Sequence, residues 1–450
     1  MIDNLMDWVD SINEFLWGPV ALILLAVMGI YLMIGTKFVH IRKLGYILKK
    51  TVGGSKNSND DDEAEGVLTS TQSLFTSLAS VIGMGSIVGV ASALISGGPG
   101  ALIWMWIATF VGMIIKYAEI ILIVRYRKKT ANNEYVGGPG LYVKEGLNVP
   151  VLGTVIVIML VFAILSSTMI QSNVIVENVM TFLPTNGKVS VYILSILNVI
   201  LVGFVLVGGI KRVGRVAEKL VPIMSALYLI IGFIVIIANA ENIIPAFQLI
   251  FKSFFNPNAI GGGVLGYGIK EAMQYGVARG FFVSGAGQSI FTVSHAPAKV
   301  KNPVDQAIYA ITELFLVTII ATMTGLTVLT SIEVTPDKNA ATLVNTAFNE
   351  TSPILGVFVG IAIILFAYST VFGVGYVGES QLKTVFSANK AKKFRYVFLI
   401  FTFIGGIGGL KSIWDVTDLF IGIVLFLNLI IMLLMSKEIF KISNEYWSQL

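Results

Sequence analysis

The sequence contains no cysteine, only two histidines, and charged side chains at 13% of its 450 positions. Without cysteine there is no disulfide, no thiolate metal site and no thiol nucleophile, and the redox compartment leaves no mark. The charged fraction is about half of the ~25% carried by an ordinary soluble domain. The basic excess is small, a net charge of +5, and its residues sit in loops beside apolar runs, which excludes a nucleic-acid footprint. No Ser-His-Asp set, metal cluster or Walker loop is present, so enzyme readings have no foothold. His40 and His295 are expected at the cytoplasmic ends of spans, away from any proton relay in the core.

What is abundant is apolar surface. Hydrophobic residues make up 55% of the chain, in recurring runs long enough to cross ~30 Å of hydrocarbon. Barrel-type alternation is absent, so helices are the remaining way to satisfy backbone groups in lipid. The fold class expected is an all-α polytopic membrane protein with eleven transmembrane helices. These begin near Gly18, Thr69, Gly98, Val151, Ser190, Val216, Lys270, Ala307, Pro353, Tyr396 and Ser412. Lysine and arginine cluster in every second loop, as in "TKFVHIRKLGYILKK", "RYRKK", "IKRVGRVAEK" and "KTVFSANKAKKFR". The positive-inside rule then puts the amino terminus outside and the carboxyl terminus in the cytoplasm of a multi-pass cell-membrane protein. The opening "MIDNLMDWVDSINEFL" is acidic and lacks the basic n-region of a cleaved signal peptide.

Two helices carry glycine where a helix tolerates it least. In "SLASVIGMGSIVGVASALISGGPG", Gly83 and Gly85 fall near mid-membrane, about 20 Å from the ends of the span. Each glycine costs about 1 kcal/mol relative to alanine. Close packing accounts for Gly89 through its Gly85-x-x-x-Gly89 spacing, but does not require Gly83 and Gly85 at one depth. A second interruption is expected in "GFFVSGAGQS", at Gly280, Gly285 and Gly287, with Phe282, Val283 and Ser284 on its unwound stretch. With the first span set aside, the other ten divide into two halves of five, each opening with a broken helix, which is the pattern of an inverted-repeat transporter.

The boundaries follow. Residues 1–52 form an external amino terminus and extra helix, and 53–68 an acidic cytoplasmic linker. The first repeat is 69–240, an external connection 241–269, the second repeat 270–436, and 437–450 a cytoplasmic tail. Unwinding frees amide donors suited to a carboxylate and carbonyls suited to an ammonium or a sodium ion. Further candidates are the polar residues within spans: Gln171, Asn173, and the adjacent hydroxyls of Ser369 and Thr370, two hard oxygen ligands whose alternative role is back-bonding to the preceding turn. Lys116 and Glu119 stand three apart, a spacing at which the two could pair. Most of the remaining intramembrane charges (Glu177, Glu271, Arg279, Glu313, Glu379, Asp415 and Asp418) are expected to snorkel from span ends, with Arg279 a candidate for a gate ion pair.

Several motifs together resemble the alanine or glycine:cation symporter family (sodium:alanine symporters). They are "GGPGALIWMWIATFVG" (97–112), "KYAE" (116–119), "GGPGLY" (137–142), "IQSN" (170–173), "FAYSTVFG" (366–373) and "WDVTDLF" (414–420). The resemblance implies a leucine-transporter-like 5+5 inverted repeat preceded by one extra helix. It also implies sodium- or proton-coupled uptake of a small neutral amino acid, with no other cofactor and no obligatory protein partner. By that resemblance the amides of Met84 and Gly85 meet the substrate carboxylate, and the carbonyls of Val81 and Phe282 its ammonium. Gln171 borders the side-chain end of the pocket, and Ser86, Ser284 and Gly285 occupy its other motif positions. A sodium ion lies between the carbonyls of Ala79 and Ile82 and the hydroxyls of Ser369 and Thr370. This chain departs from the family pattern at Ser86, where asparagine is usual, and in "FVSGAGQSI" (282–290), which lacks an asparagine and a glutamate at Ser284 and Gly285. Another solute such as glutamine, or a sensor that binds without transport, are the alternatives.

Overall fold

The structure is a computed structural model describing residues 2–52, 64–83, 85–183, 187–255, 268–408 and 413–449. Met84, most of the acidic linker and part of the external connection thus lie outside the described residues. Among the described residues the regular structure is helical apart from a two-stranded hairpin, β1 (Lys128–Lys129) with β2 (Tyr135–Val136), and two isolated bridges, Glu65 with Val300 and Leu68 with Ala298. An amphipathic helix α1 (Ile2–Leu16) precedes α2 (Pro19–Gly35). The interrupted segment follows as α3 (Ser70–Val81) and α4 (Val90–Gly97), then α5 (Ala101–Arg125), α6 (Pro150–Thr181), α7 (Lys188–Val207) and α8 (Gly209–Ala238). The second half holds α9 (Ile269–Ser284), α10 (Tyr309–Ser331), α11 (Ala340–Thr351), α12 (Pro353–Val385), α13 (Phe394–Gly406), α14 (Ile413–Leu434) and α15 (Ser436–Ser448).

Among the described residues seven helices are long and apolar enough to cross a membrane, eight when the bent pair α3 and α4 counts as one span. Three of the eleven expected spans, α2, α9 and α13, form shorter helices of 17, 16 and 13 residues. Position in the bundle follows from what each face meets. In the most apolar stretch of α5, 83% of residues are buried, against 33% in α7. Helix α5 is therefore central, packed on α9 and α10. Helix α7 instead turns Ile193, Ile196, Leu197, Ile200 and Phe204 outward, a stripe that only lipid would solvate.

Local sequence explains the boundaries near the breaks. Thr69 caps α3: its hydroxyl accepts from the Gln72 amide at 3.0 Å, while the Gln72 side chain accepts from the Thr69 amide at 3.2 Å. The chain entering α3 is clipped to the chain leaving the second break, through Leu68 N–H to the Pro297 carbonyl at 3.0 Å and Lys299 N–H to the Leu68 carbonyl at 2.7 Å. Arg127 completes this clip, donating to the carbonyls of Glu65, Ala296, Ala298 and Val300 at 2.5–3.2 Å.

Candidate functional site

Helix α3 stops at Val81. Ile82 leaves the helical region (φ −79°, ψ 83°), a π-helical turn spans Gly85–Gly89, and the two arms meet at a bend of 55°. Helix α12 lies against this break. The Ser369 hydroxyl donates to the Ala79 carbonyl at 2.9 Å, and the Thr370 hydroxyl approaches the same carbonyl at 3.3 Å. Both hydroxyls also reach the Phe366 carbonyl, at 2.8 and 3.0 Å, so the back-bond and the cross-helix bond compete for one proton on each. A Cβ on Gly83 would lie 2.2 Å from the Thr370 Oγ1, so the contact requires a residue without a side chain. Ala79, Ser369 and Thr370 thus converge, with Ile82 at the helix end one residue before Gly83. Carbonyl and hydroxyl oxygens are the donors a hard monovalent cation takes.

The expected solute positions divide. The Ser86 hydroxyl approaches the Val81 carbonyl across the break at 3.4 Å, and a Cβ on Gly85 would stand 3.6 Å from the Phe282 ring. Val81, Gly85, Ser86 and Phe282 therefore share one locality. Phe282 is held edge-on to Trp17 with ring centres 6.5 Å apart, and the Arg279 guanidinium lies 5.7 Å from its ring. Gln171 is buried on α6, its side-chain carbonyl oxygen without a hydrogen-bond partner. Asn173 turns toward Gly408 instead. A cavity of about 470 Å³ reaches the second arm of the break at Val88 and is lined by Glu177, Asn178, Thr346 and Asn349 from α6 and α11.

The second break differs from its expected position. Phe282, Val283 and Ser284 stay helical, and α9 ends where Gly285 turns left-handed (φ 62°). A Cβ there would lie 2.0 Å from the Phe291 ring. Gly280 remains within the helix, and beyond the turn a 3-10 turn, Thr292–His295, and a short helix, Pro303–Ala307, lead to α10. The Ser284 side chain faces α5, 3.1 Å from the Cβ position of Gly112, and its hydroxyl back-bonds to the Phe281 carbonyl at 3.0 Å.

Lys116 and Glu119, close enough in sequence to pair, take other partners instead and brace different parts of the second break. Lys116 pairs with Glu313 of α10 at 2.8 Å, both fully buried, and its ammonium lies 3.4 Å from the Ser284 carbonyl and 6.0 Å from the Phe291 ring centre. One turn on, Glu119 accepts from Ser289 and Asn428, each at 2.6 Å, and Asn428 also donates to the Gly287 carbonyl at 2.9 Å. His295 is buried rather than at an exposed span end: its Nε2 stands 3.2 Å from Glu313 and its Nδ1 2.7 Å from Gln306. Glu313 does not snorkel: it is at 0% exposure, with its carboxylate held by Ser77, Lys116 and His295. The sequence offered residues three apart as the nearest partners, whereas the fold supplies one 197 positions away.

A bundle of long apolar helices with apolar outward faces, built around an interrupted helix, has the form of a multi-pass membrane protein. The chain belongs to the sodium:alanine symporter family, whose model matches residues 2–450. It is 34% identical over 438 residues to the sodium/alanine symporter AgcS of Methanococcus maripaludis, covering 95% of this chain and 94% of that protein. It is 30% identical over 450 residues to the probable sodium/glutamine symporter GlnT of Bacillus subtilis, covering 98% and 90%. The fold is leucine-transporter-like: it aligns with MhsT, solved in complex with L-phenylalanine, at a TM-score of 0.60 and 14% identity over 82% of this chain and 89% of that one.

Proposed function

We propose that this protein is a secondary-active symporter importing a small neutral amino acid such as alanine or glycine, driven by sodium and working by alternating access. The observation that carries this reading is the convergence of Ser369 and Thr370 on the Ala79 carbonyl at the end of α3. A cation bound among those oxygens would bridge α3 to α12, so its binding favours one relative placement of the two helices. That is the differential affinity for two states on which coupling rests. The solute carboxylate would take the freed amides near Gly85 and its ammonium the carbonyls of Val81 and Phe282, with Met84 supplying the further amide. In this reading the cavity at Val88 is the external entrance, the amino terminus lies outside, and the two five-helix halves are inverted repeats after one extra helix.

Purified protein in liposomes should accumulate labelled alanine or glycine when an inward sodium gradient is imposed, and not with potassium in its place. Equal uptake with and without any sodium or proton gradient would end the coupled reading. The unpartnered Gln171 carbonyl favours a second solute, glutamine, whose side-chain amide could donate to it. Competition by unlabelled glutamine against alanine separates the two, and binding without accumulation would instead mark a sensor.

A further inference from the structure

We infer that Lys116 and Glu313 are positioning residues, which hold the two interrupted helices in one register and thereby set the affinity of both the solute and the cation site. The inference rests on the symporter reading above. The Glu313 carboxylate uses both oxygens: Oε1 accepts from Lys116 at 2.8 Å and from Ser77 of α3 at 2.6 Å, and Oε2 contacts His295 at 3.2 Å. The Ser77 hydroxyl also lies 3.2 Å from the carbonyl of Phe291, beyond the second break. Lys116 in turn meets the Ser284 carbonyl at the end of α9. One ion pair therefore touches α3, α5, α10, the end of α9 and the turn after it.

The attachment points are close to the proposed ligands. Ser77 precedes Ala79 by two residues, about 3 Å along the helix. Ser284 follows Phe282 by two. A displacement of the carboxylate is carried into both ligand-bearing stretches with less than one turn to absorb it.

Stability alone does not call for charges here. A well-packed apolar pair of similar volume commonly holds a core as well as a buried ion pair does. What apolar side chains do not supply is direction, fixing the carbonyl of Ser284 and the hydroxyl of Ser77 on one acceptor–donor set. Partners behind a ligand set typically change its affinity by roughly 10–100-fold when removed.

The test compares wild type with Glu313→Gln, Glu313→Asp, Ser77→Ala and the doubly neutral Lys116→Met/Glu313→Gln. Sodium-driven uptake of labelled alanine is read as KM, kcat and half-saturating sodium, and sodium-induced thermal stabilisation of the purified protein is read separately. Glu313→Gln and the double variant should raise KM and half-saturating sodium by roughly 10-fold with a smaller change in kcat. Glu313→Asp should recover most of the loss, and Ser77→Ala should raise half-saturating sodium about 3-fold. Should single variants fail to fold, the double variant and Ser77→Ala carry the comparison. Wild-type KM and half-saturating sodium in the double variant, with activity reduced only in proportion to folded protein, would show a merely structural pair and overturn the inference. If wild type is stabilised by sodium but accumulates no amino acid, the symporter reading falls alone, and the variants' sodium response still decides: weakened stabilisation upholds the inference, unchanged stabilisation overturns it. Wild type responding to sodium in neither assay removes both.

Discussion

At the first break, α3 ends on neutral oxygens: the Ala79 carbonyl with the hydroxyls of Ser369 and Thr370. At the second, α9 ends against a full charge, the Lys116 ammonium at the Ser284 carbonyl, balanced by Glu313. Both places leave carbonyls without helical partners, and both satisfy them from a neighbouring helix. The difference is whether a positive charge is built into the chain. The Lys116 ammonium is tethered to the chain, whereas the hydroxyls of Ser369 and Thr370 each have two carbonyls within reach, Ala79 and Phe366, and in the proposed reading turn their lone pairs toward an arriving ion. The pair of breaks thus reads as one fixed half and one responsive half.

The largest effect should come from unbalancing the fixed half. Lys116→Met leaves Glu313 buried with its charge unmatched, which costs about 3–5 kcal/mol. The loss should appear as a lower unfolding temperature and poor recovery of monodisperse protein, partly restored by adding Glu313→Gln. Next is Gly285→Val, which forces a β-branched residue into a left-handed turn against the Phe291 ring at a cost above about 2 kcal/mol. A thermal stability equal to wild type would show that the turn can rearrange.

In the responsive half, Ser369→Ala with Thr370→Ala should leave folding nearly unchanged. It should raise half-saturating sodium at least ~10-fold, the consequence of losing two of the proposed ligands. Unchanged sodium activation would remove the ion from this place. The smallest effect belongs to the periphery, where Lys50 pairs with Asp305 at 2.8 Å with both side chains nearly a third exposed. Burial works to lower the Lys50 pKa, but hydrogen bonds and charge from Asp305 and Tyr446 outweigh it and raise it. Such stability is fully present below the ordinary lysine value and is lost only as pH rises through the raised one. Lys50→Met should therefore cost under about 1 kcal/mol, evenly from pH 6 to 9.

Glycine made the first break legible, because Gly83 and Gly85 are hard to place in a lipid-buried helix for any other reason. The second was misplaced by a few residues. Its glycines marked the region, but which of Gly280 and Gly285 carries the turn depends on the Phe291 ring packed behind it. Ser369 and Thr370 stood out as paired hydroxyls at membrane depth. Their meeting with Ala79 was supplied by the resemblance, since nothing in the local sequence relates positions 290 apart. The same distance hid the partner of Lys116. Burial hid the place of His295, because a histidine in a basic loop gives no sign that the loop folds back under the bundle. The short α2, α9 and α13 show the remaining limit: hydropathy records where apolar residues run, not where the helix ends.

Arg127 gathers carbonyls from both chain segments that enter and leave the interrupted helices, four acceptors on one guanidinium. Those segments are therefore a single mechanical part at that end of the molecule: neither can swing aside as a solitary flap. Any movement there must shift the joined pair bodily or surrender the whole set of bonds at once, and exchange of the amides of Val67, Leu68, Lys299 and Val300 should accelerate together, never separately.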